Sequence, residues 1–136
     1  MPKIKKVNFD RSSGKRRTAK ARVRLFLGKG QSLVNGKSFE EYFPGETQKA
    51  LWIKPFELTE TGTKYYVTAR VVGGGKRGQL VAVVHAMAKV LAQKDPGKYR
   101  LPLKKAGLLT RDSRIRQRRM VGTGGKSRRA KQSPKR

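Results

Sequence analysis

Apolar and polar residues alternate along two stretches of the chain, which predicts two strands that each bury one face. The first stretch begins at Thr18, where aliphatic residues at every second position are separated by Lys20, Arg22 and Arg24. The second stretch, Tyr65–Val72, alternates in the same way. The outer face of the first strand is therefore predicted to be cationic.

Helical spacing of apolar residues follows the second strand. From residue 78 to 93 they form one wide stripe, which predicts the main core helix and places His85 opposite the stripe, on the outer face. A shorter helix is predicted over residues 47–53, because the residue before Pro55 disfavours the helical region. Residues 101–109 are expected to form a last helical turn and a strand-like edge.

The order of these elements predicts the fold class. Strands mixed with helices over about one hundred residues indicate an α+β fold, with helices packed on one face of a small sheet. We expect three parts: a basic N-terminal arm over residues 1–16, a globular body over 17–110, and an extended basic C-terminal tail over 111–136.

Charge sets this chain apart from an ordinary small domain. Its formal net charge is +27, whereas about 2–8 is ample for solubility. Residues 113–136 contain ten Lys or Arg and no Asp or Glu. Such a segment buries too little apolar surface to offset the entropy of ordering it. It is expected to stay disordered unless a polyanion orders it, and nucleic acid is the commonest dense polyanion in a cell.

Several functional classes are not expected. The chain has no Cys, so a disulfide framework, a thiolate nucleophile and a zinc ribbon are excluded. No secretory signal or transmembrane run is visible, which predicts a soluble intracellular protein. His85 is the only histidine, and no catalytic set can be assembled around it. We therefore expect neither enzyme activity nor a metal site.

Residues 73–78 have the spacing Gly-x-Gly-x-x-Gly between a strand and a helix, which is also the spacing of a dinucleotide-binding loop. Asp95 lies in an Asp-Pro-Gly turn and no second βαβ half follows, so a nucleotide cofactor is not expected. A glycine hinge explains the glycines by itself. A third interpretation is that the helix N-terminal amides, with Lys76 and Arg77, hold a nucleic-acid phosphate.

The kind of nucleic acid follows partly by elimination. No helix-turn-helix, zinc finger or basic zipper pattern is visible, and the tail lacks the amphipathic pattern of a membrane-binding helix. Base-stacking aromatics of a ribonucleoprotein-type motif are not apparent either. Recognition of phosphates and shape in a large structured RNA fits best, and a DNA-architectural protein is the alternative.

Blocks of residues spread over 14–136 also carry a family resemblance. In order they are Gly14-Lys15-Arg16-Arg17-Thr18-Ala19, Ala21-Arg22-Val23-Arg24-Leu25, Val34-Asn35-Gly36, Tyr42-Phe43, Gly73-Gly74-Gly75-x-x-Gly78-Gln79, Leu103-Lys104-Lys105-Ala106-Gly107-Leu108-Leu109-Thr110-Arg111-Asp112 and Lys135-Arg136. Together they resemble the small-ribosomal-subunit protein nine family, bacterial type.

The resemblance implies a small mixed sheet with helices, like that of the second domain of small-subunit protein five. It implies a structural protein of the cytoplasmic ribosome, without enzyme activity, cofactor or small-molecule substrate. The protein would bind the 3′ major domain of the 16S-type rRNA in the subunit head, beside other head proteins. The tail would reach the peptidyl-site tRNA, with Lys135 and Arg136 as the tRNA contacts.

The residues expected to bind rRNA are all basic and lie in every part of the chain. They are Lys15, Arg16, Arg17, Arg22, Arg24, Lys76, Arg77, Lys104, Lys105, Arg111, Arg114, Arg116, Arg118, Arg119, Arg128 and Arg129.

Overall fold

The computed structural model describes residues 7–122. Within this range there are five strands: β1 (Phe9–Arg16), β2 (Ala19–Leu27), β3 (Leu33–Val34), β4 (Lys37–Ser38) and β5 (Tyr65–Val72). The same residues form four helices: α1 (Phe39–Tyr42), α2 (Glu46–Thr59), α3 (Lys76–Lys94) and α4 (Pro96–Lys105).

The strands form one mixed sheet in the order β1-β2-β5-β3-β4. Every neighbouring pair is antiparallel except β3 and β5, which run parallel. Helix α3 packs across β1 and β2, and α2 and α4 pack against α3. The predicted α+β class, with helices on one face of a small sheet, is confirmed.

The core lies between the sheet and α3. The inward side chains of β2 and β5 are almost fully buried, and so is most of α3. Each fully buried aliphatic side chain of this kind contributes about 1.5–3 kcal/mol. At the centre the backbones approach closely, because a Cβ on Gly14 would meet the Ala82 carbonyl oxygen and lie 2.9 Å from the Ala86 amide nitrogen.

The prediction of an N-terminal arm reaching residue 16 is wrong for residues 9–16. These residues form β1, which pairs with β2 along its whole length. Its inward positions carry Ser12, Gly14 and Arg16 in place of large apolar residues, so the strand shows no apolar alternation. Ser12 and Gly14 are small enough to let α3 approach, which is why a polar sequence becomes part of the core.

Helix α2 extends beyond its predicted end. It runs through Pro55 and ends at Thr59, and the next residue, Glu60, adopts the left-handed conformation with φ 53°. A proline inside a helix costs about 3 kcal/mol or more. Here Pro55 and Phe56 are both buried, so tertiary packing outweighs the local preference.

The segment after α3 also differs from its prediction. Helix α4 begins at Pro96, which is tolerated in the first turn because that amide needs no helical partner. Turns follow at residues 106–109, where a strand-like edge was expected. That part of the prediction is wrong.

Candidate nucleic-acid interface

The sheet face opposite α3, which we call the open face, is covered by cations. Side chains alternate between the two faces along each strand, so the residues between the inward ones of β1, β2 and β5 point to the open face. Lys15, Arg22 and Arg24 of the predicted rRNA-binding set meet here. The strand register adds three cations that had not been assigned to binding, which are Arg11, Lys20 and Arg70.

Cations on the open face stand directly opposite one another. Lys15 pairs with Lys20, Arg11 with Arg24, and Arg22 with Arg70. None of the paired positions on this face carries a carboxylate. Like charges opposite each other on neighbouring strands destabilise a sheet. A bound chain of phosphates would turn this repulsion into attraction, so the face is suited to an extended polyanion.

Three aromatic rings line one end of the open face. Phe9, Phe26 and Tyr66 stand side by side on β1, β2 and β5. The ring centroids of Phe9 and Phe26 are 5.6 Å apart, and those of Phe26 and Tyr66 are 5.1 Å apart. This aromatic row is not visible in the sequence, because Phe9 lies in β1, which shows no apolar alternation.

The tail leaves the body through a charged clasp, which we call the tail root. Arg16 donates to the Arg114 carbonyl oxygen at 2.8 Å, and its guanidinium lies 3.3 Å from the Asp112 carboxylate. Arg114 donates to the same carboxylate through Nε at 3.0 Å and Nη2 at 2.8 Å. The hydrogen bonds from the Arg114 side chain and backbone amide, helped by the charges of Arg114 and Arg16, hold the pKa of Asp112 well below its usual range. Arg16 and Arg114 therefore fix the start of the tail.

His85 lies inside the molecule, so its predicted place on an outer face is wrong. Its Nε2 is 3.3 Å from the Leu109 carbonyl oxygen. Burial is the main cause that lowers its pKa; the Leu109 hydrogen bond opposes this, and the charges of Lys89 and Arg111 add to the lowering. The turns after α4 cover α3 around His85 through Leu109, which the helical pattern alone could not show.

The glycine loop before α3 is explained by backbone geometry. Gly73 and Gly74 have φ values of 76° and 63°, which favour glycine. A Cβ on Gly73 would lie only 2.6 Å from the Thr18 carbonyl oxygen. Gln79 donates to the Gly73 carbonyl oxygen at 3.0 Å. The loop therefore folds against the β1–β2 turn, as the glycine-hinge interpretation predicts.

The two cations of that loop differ in their surroundings. The Lys76 ammonium donates to the Tyr42 carbonyl oxygen at 3.2 Å and lies 3.3 Å from the centre of the Tyr42 ring. Arg77 is exposed in the first turn of α3. Of the predicted phosphate-binding pair, Arg77 faces solvent, while Lys76 is engaged within the protein.

The remaining predicted residues are more scattered. Arg17 occupies the β1–β2 turn, and Lys104 and Lys105 are exposed at the end of α4, in the helical layer. The described part of the tail carries Arg111, Arg114, Arg116, Arg118 and Arg119. The residues of the predicted set that lie outside the described range are Arg128, Arg129, Lys135 and Arg136.

Between residues 7 and 122, no three His, Asp or Glu side chains are grouped so that they could hold a metal ion. No helix within that range is long and apolar enough to cross a membrane.

The fold and the open face together define a small, basic α+β protein with a surface suited to a polyanion. The chain belongs to the ribosomal protein S9/S16 family, whose model matches residues 14–136. It is also similar to the small ribosomal subunit protein uS9 of Rickettsia bellii (strain OSU 85-389). The two are 46% identical over 123 residues, which cover 89% of this chain and 74% of the relative.

Family membership confirms the resemblance noted in the sequence. The family consists of structural proteins of the ribosome and is not an enzyme class. The predicted location on the cytoplasmic ribosome is confirmed as well.

Proposed function

We propose that this protein binds the 3′ major domain of small-subunit rRNA in the subunit head, beside neighbouring head proteins, and extends its tail to the peptidyl-site tRNA. The observation that supports rRNA binding is the open face. Three pairs of like charges stand opposite each other there, with no carboxylate among the paired positions. The repulsion between these charges lowers the stability of the free protein, and a bound polyanion would relieve it.

The open face and the tail would make different contacts. The open face holds a fixed two-dimensional array of cations, which suits the phosphates of a folded RNA surface. The tail root fixes where the basic tail leaves the body, through Arg16, Asp112 and Arg114. The residues from Arg111 onward can span about 85 Å when fully extended. This length would let the tail tip act far from the body.

Charge-removal variants of the full-length protein test the role of the open face. Arg22→Gln with Arg24→Gln should weaken binding to fragments of the 3′ major domain. It should also reduce the slope of log affinity against log salt by about 1.4–1.8, because two phosphate contacts are lost. The matched control is Lys49→Gln with Lys54→Gln on α2, which removes the same charge from exposed positions in the helical layer.

The control variant should keep the wild-type slope. Equal slopes for both double variants would contradict binding through the open face. Duplex DNA as competitor tests the alternative of a DNA-architectural protein. The rRNA fragments should compete more strongly than duplex DNA of equal phosphate number, and the reverse order would overturn the assignment to rRNA.

A truncation tests the proposed tRNA contact. Removing Lys135 and Arg136 should speed the dissociation of tRNA from the peptidyl site of reconstituted subunits, because two cations at the tip would no longer contact the tRNA backbone. Assembly of the subunit should be unaffected, since the body and the tail root are unchanged. Wild-type tRNA retention in the truncated subunits would rule out a role for the tail tip.

A further inference from the structure

The aromatic row on the open face has one covered end and one open end. Tyr66 is covered by the loop after β2, because a Cβ on Gly30 would lie 2.9 Å from the Tyr66 ring. Phe26 lies between its two neighbours and stacks on Tyr66 with the ring planes 13° apart. Phe9 stands on β1, an edge strand of the sheet, and is 41% exposed. Within residues 7–122 no strand lies beyond β1, so on that side the row ends in the Phe9 ring.

Cations frame this exposed ring. The Arg24 guanidinium lies 4.9 Å from the centre of the Phe9 ring. Arg11, two positions along β1, stands opposite Arg24 in the register. A planar guanidinium over an aromatic ring is held in place and can still present its N–H groups to a phosphate. An aromatic surface and two phosphate-binding groups thus lie together.

We propose that the open face binds a single-stranded RNA segment, with one unpaired base stacked on Phe9 and the flanking phosphates bound by Arg11 and Arg24. This inference rests on the proposed function, since it takes RNA as the partner. It deepens that function by naming an unpaired nucleotide as the element that is recognised.

The combination of ring and cations distinguishes this ligand from a duplex. An RNA helix presents phosphates and ribose hydroxyls along its surface, while its bases are stacked inside. Cations alone would be enough to bind the phosphates of such a helix, and an exposed phenyl ring among them would make no favourable contact with its stacked bases. An unpaired base offers a π-face for the ring together with phosphates for the arginines, and this stacking is tolerant of base identity.

The test compares two uncharged substitutions in the full-length protein. Phe9→Leu keeps the apolar cover of the edge strand and removes the π-face, whereas Phe9→Tyr keeps the ring. The probes are a short oligouridylate and an abasic oligomer with the same number of phosphates. Phe9→Leu should bind oligouridylate about tenfold more weakly than wild type, with an unchanged salt slope because no charge is lost. Phe9→Tyr should bind like wild type.

The abasic oligomer should bind all three proteins equally, since it offers phosphates and no base. The tail contributes equally to every variant and cancels in the comparison. Equal binding of oligouridylate by wild type and Phe9→Leu would overturn the inference. So would an equal loss on both probes, which would indicate a general effect on the fold.

A second measurement does not depend on the stability of Phe9→Leu. In Phe9→Trp, oligouridylate should quench the added indole emission and the abasic oligomer should not. Equal quenching by both probes, or quenching by neither, would refute base stacking. Failure of the proposed function is a separate result, namely a wild-type protein that prefers duplex DNA to rRNA fragments. A preference for rRNA without base-dependent binding at Phe9 would remove the stacking inference alone.

Discussion

The two faces of the sheet are formed by alternate residues of the same strands, and they have opposite effects on the stability of the free protein. On β2, Val23 and Leu25 point to α3 and are 0% and 1% exposed. Arg22 and Arg24, their immediate neighbours, point to solvent on the open face. The helix-covered face holds the fold together, whereas the open face stores repulsion that a polyanion relieves.

This difference shows why stability and binding can change separately in such a protein. A substitution on the covered face removes apolar contacts and leaves the cationic array in place. A substitution on the open face changes the array and leaves the core packing in place. Of two neighbouring residues on one strand, the inward one should therefore affect mainly the free energy of unfolding, and the outward one mainly the affinity for the polyanion.

The largest expected effect comes from the covered face. Leu25→Ala should lower the free energy of unfolding by about 2–5 kcal/mol, because a buried side chain is lost and a cavity remains. Arg24→Ala is the control on the adjacent position, and it should change stability by no more than about 1 kcal/mol, because it removes both the repulsion from Arg11 and the contact with the Phe9 ring. Urea unfolding of the free protein measures both. Similar losses at the two positions would show that the faces are not separate.

A smaller effect is expected where β1 meets α3. Gly14→Ala should cost about 1–3 kcal/mol, because the new Cβ would press on the backbone of Ala82 and Ala86, which cannot rotate away. Gly62→Ala is the matched control, since a Cβ there would meet only the Phe56 Cβ at 4.0 Å and Gly62 is not among the glycines with positive φ. Thermal unfolding of the two variants should separate them clearly. An unchanged melting temperature for Gly14→Ala would contradict the close approach.

A pH effect should arise in the covered layer and not on the open face. The pKa of His85 is lowered in the folded protein, mainly by burial. The unfolded chain therefore binds a proton more readily, and stability should fall as the pH drops from about 7 to about 5. His85→Gln should remove this dependence. His85 is the only histidine, so equal pH slopes for variant and wild type would contradict its burial in the neutral form.

The sequence predicted those elements whose apolar residues recur most regularly. Strands β2 and β5 and helix α3 were found because each has a regular apolar pattern on its buried side. Strand β1 was missed because its inward residues include Ser12 and Gly14, which give no apolar signal. The end of α2 was missed because burial of Pro55 outweighs a local preference that is visible in the sequence.

The sequence predicted several of the charged residues of the candidate site, but not which side chains lie next to one another. Alternation along β2 was enough to place Arg22 and Arg24 outward. The aromatic row needs the register of three strands that are distant in sequence, so Phe9 could not be joined to Tyr66 without the fold. The engagement of Lys76 with Tyr42 is likewise a tertiary contact. Single charged residues were thus assigned by pattern, while their partners required the structure.

The smallest expected change in stability lies on the open face, and its sign is opposite to that of the core substitutions. Arg70→Gln removes one member of the Arg22–Arg70 pair. It should stabilise the free protein by about 0.2–1 kcal/mol at low salt, because like charges opposite each other repel. The gain should shrink as salt is added, since screening already weakens the repulsion. The same variant should bind rRNA fragments more weakly, because one phosphate-binding cation is lost. Urea unfolding and binding measured at the same salt concentrations test both, and a loss of stability would show that Arg70 contributes to the fold.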